Sequence, residues 1–206
     1  MAYTGGELNR LNGKYGISAP QRSVPVMKLI KTHRPKSKGE LYELIKYHFE
    51  KKCHCGIKSK GTVESFGKKL YAAQLQEYGE YKFTLKECIQ WEYDLFVVQS
   101  LKGKNIELKA LQQLQKILKT VHLNIQEAEG FMDEELRIDL IVLKKEKPIC
   151  GIQVKPLTFN NMREGVIFFN KNANAKWGRP VYYLFYDEAE KITNLDEVTG
   201  NILKNI

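Results

Sequence analysis

Three polar residues lie in two short apolar runs of the chain: Asp139 in the first, and Gln153 and Lys155 at the end of the second. They contribute a carboxylate, an amide oxygen and an ammonium group. Carboxylate and amide oxygens are preferred ligands of hard divalent cations, and a fixed ammonium group stabilises negative charge that develops nearby. A site built from these three side chains is therefore suited to chemistry on a negatively charged substrate.

Two short strands would bring these residues together. The sequence predicts strands from Arg137 to Leu143 and from Ile149 to Val154. The segment between them, Lys144 to Pro148, is charged and ends in proline, which is typical of a turn. The stretch is therefore predicted to form a β-hairpin.

The register of this hairpin decides which side chains meet. Side chains alternate faces along a strand, so Gln153 and Lys155 share a face. In a hairpin centred on Glu146, Asp139 lies opposite Gln153, because the two are equally far from that centre. Cross-strand partners have Cβ atoms about 5 Å apart. A bulge in the turn would disturb this register.

This hairpin resembles the core of the PD-(D/E)XK nuclease superfamily, which includes most type II restriction endonucleases. In that pattern an aspartate at a strand start is followed, after roughly ten to thirty residues, by an acid, any residue and a lysine. Asp139 and Lys155 match its ends, whereas Gln153 replaces the acid and Ile138 replaces the usual proline. The resemblance covers roughly residues 39 to 187. The stretch THRPKSKGELYELI is similar to the MjaI group of restriction enzymes.

The resemblance implies a Mg²⁺-dependent, sequence-specific hydrolysis of double-stranded DNA that leaves 5′-phosphate ends. Asp139 would be the central metal ligand and Gln153 a neutral, weaker one. Lys155 would orient the attacking water and stabilise the developing charge. A homodimer is expected, because two equal sites cut the two strands of a palindrome. No small-molecule cofactor is expected.

A third metal ligand is expected from a helix that begins at Ser37 or Gly39. Gly39 and Glu43 stand four apart, which resembles the G-x-x-x-E pattern on the first helix of the superfamily. Glu43 lies close to the apolar stripe of the helix, so we expect it to point inward and supply the charge that Gln153 lacks. Glu40 is the competing candidate. Otherwise both are solvated carboxylates favoured by the helix dipole.

The remaining elements follow an order of helix, three strands, helix and strand. The predicted elements are helices Thr62 to Tyr81 and Lys102 to Thr120, a strand Val121 to Ala128, the hairpin, a helix within Thr158 to Trp177 and a strand Pro180 to Tyr186. The helix before the first strand could pack on the sheet or form a dimer contact. We expect an α/β (α+β) fold with a mixed central β-sheet flanked by helices, in a single domain of 206 residues with a loop-like basic arm at residues 1–26.

The charge balance favours a nucleic-acid partner. The chain has a formal net charge of +9, which favours binding to a polyanion. The predicted DNA contacts are Arg34, Lys36, Lys38, Asn160, Asn161, Asn174 and Lys176. The first residues lack an apolar signal-peptide core, and no stretch has the apolar length of a membrane span. We therefore expect a cytoplasmic protein of a prokaryotic host.

The cysteines do not form a disulfide framework, since there are four in a chain of this length. Cys53, His54 and Cys55 lie together, but a zinc site usually has a second pair of ligands. Cys88 and Cys150 have no such ligand nearby in sequence. We therefore expect neither a structural zinc site nor a Cys–His catalytic pair.

Two other functions remain open for the same residues. A structure-specific or repair nuclease, similar to Holliday-junction resolvases, would use them without sequence specificity. A catalytically decayed DNA-binding protein would account for Gln153 at the acid position. The chain has no G-x-S-x-G motif and no phosphate-binding loop, which argues against serine-hydrolase and P-loop chemistry.

Overall fold

The structure of the chain is a computed structural model that describes residues 6–162 and 164–205. The chain forms two compact units, Met1–Lys104 and Asn105–Ile206. Each unit has its own cluster of buried apolar side chains. Among the helices of the described ranges, none is both long enough and apolar enough to cross a membrane.

The first unit is built from helices. They are α1 (Glu7–Tyr15), α2 (Val26–His33), α3 (Lys38–Phe49), α4 (Val63–Tyr78) and α5 (Leu85–Tyr93), and a π-helical segment (Asp94–Val98) then leads into α6 (Gln99–Lys119). The prediction of a loop-like arm was wrong for α1, where Leu8 and Leu11 pack in a buried cluster with Leu70 and Trp91. Glycines around this short helix obscured its apolar face. One of them, Gly16, ends the helix with a left-handed φ of 58°.

Side-chain caps fix the start of three of these helices. The Ser37 side chain accepts the backbone N–H three residues on, at the start of α3. Thr62 and Thr84 do the same for α4 and α5, and the side chains of Ser65 and Glu87 bond back to the cap backbone. Each cap satisfies N–H groups that the first turn leaves unpaired.

Glu92 on α5 is a buried carboxyl group. Its side chain is 0% exposed, and Ser18 Oγ donates to Oε2 at 2.7 Å. The other oxygen, Oε1, has no hydrogen-bond partner among the described residues. Burial raises the pKa of Glu92 from 4.5 to about 7, and the Ser18 hydrogen bond opposes that rise. The folded state therefore favours the protonated carboxyl, and stability falls as the pH rises from 4.5 to about 7.

Glu92→Gln should raise the free energy of unfolding near pH 8 by about 3 kcal/mol at most, because the amide has no charge to desolvate. The glutamine oxygen can still accept the Ser18 hydroxyl. The gain should disappear near pH 4, where the wild-type carboxyl is protonated in both states. Urea unfolding across this pH range measures the difference. A gain that does not depend on pH would mean that packing, not charge, is responsible.

The second unit contains a four-stranded mixed sheet. Its strands are β1 (Asn124–Glu127), β2 (Leu140–Lys144), β3 (Lys147–Pro156) and β4 (Val181–Tyr186), in the spatial order β1-β2-β3-β4. The β1–β2 and β2–β3 pairs are antiparallel, and β3–β4 is parallel. The other elements are most of α6, α7 (Phe131–Glu134), a 3₁₀ turn (Leu157–Asn161), α8 (Glu164–Ala175) and α9 (Leu195–Lys204). The predicted α+β class and element order are confirmed.

Helix α6 packs on one face of the sheet, which is the first of the two roles left open by the sequence. Ile106, Ala110 and Leu114 belong to one buried cluster with Leu140 of β2 and Ile152 of β3. Side chains of α9 close the same cluster. The helix that precedes the three strands is therefore part of the core of this unit.

Helix α8 has an inverted pattern of burial. Its buried residues are Asn170, Ala173 and Asn174, whereas Phe168 and Phe169 are 66% and 58% exposed. The apolar side of this helix is largely exposed, although the Arg137 guanidinium lies over the Phe169 ring, 4.6 Å from its centroid. Its polar side chains are buried instead, which requires that they have hydrogen-bond partners.

The hairpin of β2 and β3 turns over two residues. Lys145 and Glu146 have φ values of 47° and 61°, as the central residues of a type I′ turn do. Lys144 pairs with Lys147 across this turn. The hairpin is therefore centred between residues 145 and 146 at the turn, slightly before the predicted centre.

A β-bulge restores the predicted register before the strands reach the candidate site. The register shifts between Val142 and Leu143, and Ile149 has no Cα partner in β2. Beyond the bulge Leu140 pairs with Ile152, which is the register of a hairpin centred on position 146. The bulge, which was expected to disturb the alignment of the polar residues, therefore produces it.

Candidate active site

Asp139 precedes β2 and holds β3 through both its backbone and its side chain. Its N–H donates to the carbonyl of Ile152 at 2.9 Å. Its Oδ2 accepts the N–H of Val154 at 2.7 Å. These two bonds bracket Gln153, the residue between the two partners. Asp139 and Gln153 therefore lie across from each other on the hairpin, as the register predicted.

Gln153 contributes a buried oxygen that no hydrogen bond satisfies. The residue is 1% exposed, and Oε1 has no partner within the described part of the chain. Leaving a buried carbonyl group unpaired costs about 1–3 kcal/mol. Asp139 bonds to both neighbours of Gln153. The unpaired amide oxygen of Gln153 is therefore suited to be one of the oxygen ligands that a hard divalent cation requires.

The buried face of α8 orients Gln153. Asn170 Nδ2 donates to a carbonyl of its own helix at 2.8 Å, which leaves Oδ1 to accept Gln153 Nε2 at 3.1 Å. Gln153 must therefore turn its NH₂ group toward α8 and its oxygen away from it. Asn174 secures the same helix, since Nδ2 donates to Leu136 O at 2.8 Å and Oδ1 accepts from Tyr183 at 2.7 Å. The inverted burial of α8 thus serves to orient the site.

Lys155 lies two residues beyond Gln153 and on the same face of β3. Parallel pairing sets Gln153 beside Tyr183 and Lys155 beside Phe185. The two aromatic rings stack with centroids 6.2 Å apart. Lys155 is half-buried, and an ammonium group on this face of the strand can stabilise charge that develops near Gln153.

The pKa values of two tyrosines on β4 reflect the negative charge around the site. Burial, and then the charge of Asp139, raises the pKa of Tyr183. Burial also raises the pKa of Tyr186, followed by the charges of Glu107, Glu190 and Asp139. Tyr186 is therefore within electrostatic range of both Asp139 and a glutamate on α6.

Glu107 is a candidate acid that the sequence interpretation overlooked. It follows the buried Ile106 on α6, the helix that immediately precedes β1. Gly103 and Glu107 stand four apart, which is the same G-x-x-x-E spacing that pointed to Glu43. The first helix in the order helix, three strands, helix and strand is α6, and this signal could have found Glu107.

Glu43 and Glu40 lie on α3 in the first unit. Glu43 does not point toward the buried stripe of its helix, as was expected, because its side chain is 65% exposed and pairs with Lys46 at 3.5 Å. Glu40 is exposed and accepts the backbone N–H of Lys36 at 2.7 Å. The role of either residue as a metal ligand stays a prediction from the sequence pattern.

Six of the seven predicted DNA contacts lie at the surface. The exposed residues are Arg34, Lys36, Lys38, Asn160, Asn161 and Lys176. Asn174 differs, because it is 5% exposed and both ends of its amide are hydrogen-bonded. We therefore assign Asn174 to the orientation of α8, not to a contact with a DNA groove.

The Cys53–Cys55 segment has ligands around it that the sequence interpretation missed. The ligand atoms of His33, His48, Cys53 and Cys55 all lie within 4.8 Å of one another. His54 is not a member of this group. His48 Nε2 is 3.2 Å from Cys55 Sγ, a contact that the spacing in the sequence did not indicate. A backbone N–H hydrogen bond is the main reason that the pKa of Cys55 falls to about 6.

The fold and the hairpin together define a restriction-endonuclease-like α+β protein, with an aspartate before one strand and a lysine on the next. The family model described as MjaI restriction endonuclease matches residues 7–196. The chain therefore belongs to the MjaI restriction endonuclease family, whose members are type II restriction enzymes acting on DNA. No curated protein and no solved structure shows significant similarity to it.

Proposed function

We propose that the protein is a Mg²⁺-dependent type II restriction endonuclease. It hydrolyses both strands of double-stranded DNA at a specific sequence and leaves 5′-phosphate and 3′-hydroxyl ends. The observation that carries the proposal is the unpartnered Oε1 of Gln153, which lies across the hairpin from Asp139, in a chain of this family. The four cysteines are free thiols, which suits the proposed cytoplasm of a prokaryotic host.

Asp139 and Gln153 are the proposed metal ligands. Asp139 supplies a carboxylate, and the amide of Gln153 supplies a neutral oxygen that α8 turns away from itself. Bound Mg²⁺ would supply charge neutralisation at the phosphate and activation of the attacking water. One carboxylate and one neutral oxygen give little charge, so a further acid is required. The sequence pattern proposes Glu43, whereas, after burial, the charges of both Glu107 and Asp139 raise the pKa of Tyr186, which favours Glu107.

Lys155 is the proposed catalytic cation. In the reaction the oxygen of a water forms a bond to phosphorus, and the bond from phosphorus to the 3′ oxygen breaks. Negative charge grows on the phosphate oxygens during this step. An ammonium group fixed on β3, on the same face as Gln153, can orient the water and stabilise that charge.

Glu107→Gln and Glu43→Gln discriminate between the two candidate acids. The true ligand should lower the rate of DNA cleavage at least about 10²-fold when its charge is removed, because the metal loses a carboxylate. Single-turnover cleavage at several Mg²⁺ concentrations measures this, and excess Mg²⁺ should partly rescue the ligand variant. We expect the large effect for Glu107→Gln. An effect confined to Glu43→Gln would restore the assignment made from the sequence pattern.

A homodimer is the proposed assembly, because two equal sites cut the two strands of a palindromic sequence. The exposed apolar side of α8, which includes Val166, Phe168 and Phe169, supports a further protein contact. Light scattering of the purified protein tests this directly. A particle of twice the chain mass of 23.9 kDa is expected.

The surface residues Arg34, Lys36, Lys38, Asn160, Asn161 and Lys176 are the proposed contacts to DNA. Lysine and arginine side chains bind phosphates and position the duplex, while asparagine amides can bind base edges. Binding should therefore weaken with salt, since each neutralised phosphate releases counterions.

Incubation of the protein with long duplex DNA, with Mg²⁺ and with EDTA, tests the proposed function. Fixed fragments with Mg²⁺ and intact DNA with EDTA are the expected result, and sequencing the ends identifies the site. A smear, or a preference for branched DNA, would replace the proposal with a structure-specific nuclease. Tight binding to DNA that stays intact would indicate a catalytically decayed enzyme, in which Gln153 has replaced the acid of the superfamily pattern.

A further inference from the structure

Four metal-binding side chains of the first unit converge near the ends of α2 and α3. His33 is the last residue of α2, His48 lies in the last turn of α3, and Cys53 and Cys55 follow in the next segment. One ligand atom from each residue lies within 4.8 Å of all the others. Two thiols and two imidazoles are a standard ligand set of structural zinc.

The hydrogen bonding of His48 leaves the appropriate nitrogen for a metal. His48 is 1% exposed, and its Nδ1 lies 2.7 Å from the carbonyl oxygen of Leu44. Only an N–H group can bond to a carbonyl, so Nδ1 carries the proton and the lone pair of Nε2 faces the cluster. Zinc-binding histidines are commonly oriented by such a bond from the other ring nitrogen.

The separations of the ligand atoms are close to those of a tetrahedral shell. Zinc bonds of about 2.3 Å to sulfur and about 2.0 Å to nitrogen put neighbouring ligand atoms about 3.3–3.8 Å apart. His48 Nε2 is 3.2 Å from Cys55 Sγ, and His33 Nε2 is 4.0 Å from Cys53 Sγ. The backbone N–H of Cys55 points at Cys53 Sγ at 3.5 Å, so a thiolate there has a donor.

We infer that His33, His48, Cys53 and Cys55 bind a structural Zn²⁺ ion, in addition to the metal proposed for hydrolysis. Four protein ligands close the coordination shell and leave no position for a substrate, so the role is structural. Two thiolates balance the charge of the ion. The zinc ties the ends of α2 and α3 to the turn that carries the cysteines.

The site also bears on DNA binding, a consequence that rests on the proposed function. The basic residues Arg34, Lys36 and Lys38 follow His33 directly and lead into α3. Zinc at His33 fixes the start of this loop, while the Ser37 cap fixes its end. The loop is therefore already partly ordered before it contacts phosphate, so binding costs less conformational entropy.

Two other uses of the cluster fit less well. A Cys–His catalytic pair requires Cys55 and His48 alone and leaves the second thiol and the second imidazole unexplained. It also lacks an acidic partner for His48, whose Nδ1 bonds to a carbonyl. A Cys53–Cys55 disulfide would use neither histidine, and both thiols are free.

The metal content of the full-length protein tests the inference. After purification in reducing buffer without chelator and dialysis, mass spectrometry of the elements should find about one zinc per chain. Cys55→Ser and His48→Ala should each lower that content at least about tenfold. The matched control is His54→Ala, which removes the histidine between the two cysteines and should keep the zinc. Asp139→Ala should keep the zinc too. Zinc bound at the hydrolytic site, by contrast, would be lost in that variant.

Cobalt substitution keeps the test decisive if a ligand variant fails to fold. Wild-type protein reconstituted with Co²⁺ should show visible bands of tetrahedral cobalt and a thiolate-to-metal charge-transfer band. Zinc should also protect two cysteines from alkylation, and EDTA should expose Cys53 and Cys55. Zinc-free protein that gives no thiolate band with cobalt would overturn the inference. So would equal zinc in wild type, Cys55→Ser and His48→Ala. Neither readout depends on DNA cleavage, so failure of the nuclease proposal is recognised separately.

Discussion

Asp139→Ala should lower the rate of DNA cleavage at least about 10³-fold while DNA binding is retained. The substitution removes the carboxylate that brackets Gln153, and with it the charged ligand of the proposed metal. The predicted DNA contacts lie on other residues, and the electrostatic part of binding depends on lysine and arginine. Single-turnover cleavage with Mg²⁺ and fluorescence anisotropy in EDTA measure the two effects.

The structural role of Asp139 requires a second variant. Alanine leaves the Val154 N–H without its acceptor, which costs about 1–3 kcal/mol of stability. Asp139→Asn keeps an oxygen for that N–H and removes only the negative charge, so it should fold like wild type and still fail to cleave. Asp196→Asn, at an exposed carboxylate in the first turn of α9, is the matched control. Cleavage by Asp139→Asn at the wild-type rate would refute the assigned role.

The polar hairpin and its register at the site were predicted correctly from the sequence, but the bulge that produces this register was not. The alternation of residues placed Asp139 across from Gln153, and the structure agrees. The two-residue turn alone would have given a register one residue different. The unpaired Ile149 corrects it, and a bulge of one residue leaves little signal in the sequence because any residue can occupy it.

Helix α8 was difficult for a different reason. Apolar periodicity predicts which side of a helix is buried, yet this helix buries Asn170 and Asn174 and exposes Phe168. Tertiary hydrogen bonds reverse the rule here, because the asparagines bond to Gln153, Leu136 and Tyr183. No pattern within α8 could have shown partners that lie on other elements.

The metal-binding cluster was missed because its ligands come from separate elements. Spacing rules for zinc rely on pairs that are close in sequence, and only Cys53 and Cys55 are such a pair. His33 and His48 belong to two helices and are brought together by their packing. Glu107 is the opposite case, since its G-x-x-x-E spacing was visible in the sequence, but only the helix that carries Glu43 was considered.

Gln153→Leu should separate catalysis from stability. Leucine is similar in volume, and it removes the unpartnered oxygen together with one hydrogen bond to Asn170. The gain and the loss are of similar size, so the free energy of unfolding should change by less than about 1 kcal/mol. Cleavage should fall at least about 10²-fold, because the metal loses an oxygen ligand. Urea unfolding and single-turnover kinetics measure these effects.

Gln74→Leu is the matched control for a buried glutamine. Gln74 is 0% exposed, but its Nε2 donates to Phe83 O at 3.0 Å and its Oε1 accepts Phe83 N–H at 2.7 Å. Its removal leaves both backbone groups unpaired and should destabilise the protein by a few kcal/mol, about 1–3 for each group, without a loss of cleavage at a temperature where it stays folded. The reverse pattern, a destabilised but active Gln153→Leu, would make Gln153 a structural residue.

Gln153→Glu completes the argument by restoring the acid of the superfamily pattern. A carboxylate at this buried position costs stability without a cation, because burial disfavours its charged form. Mg²⁺ should offset that cost, so the thermal midpoint of Gln153→Glu should rise with Mg²⁺ more than that of wild type. Thermal scans with Mg²⁺ and with EDTA measure the shift without any DNA. An equal response of the two proteins would mean that the oxygen of residue 153 does not bind the metal.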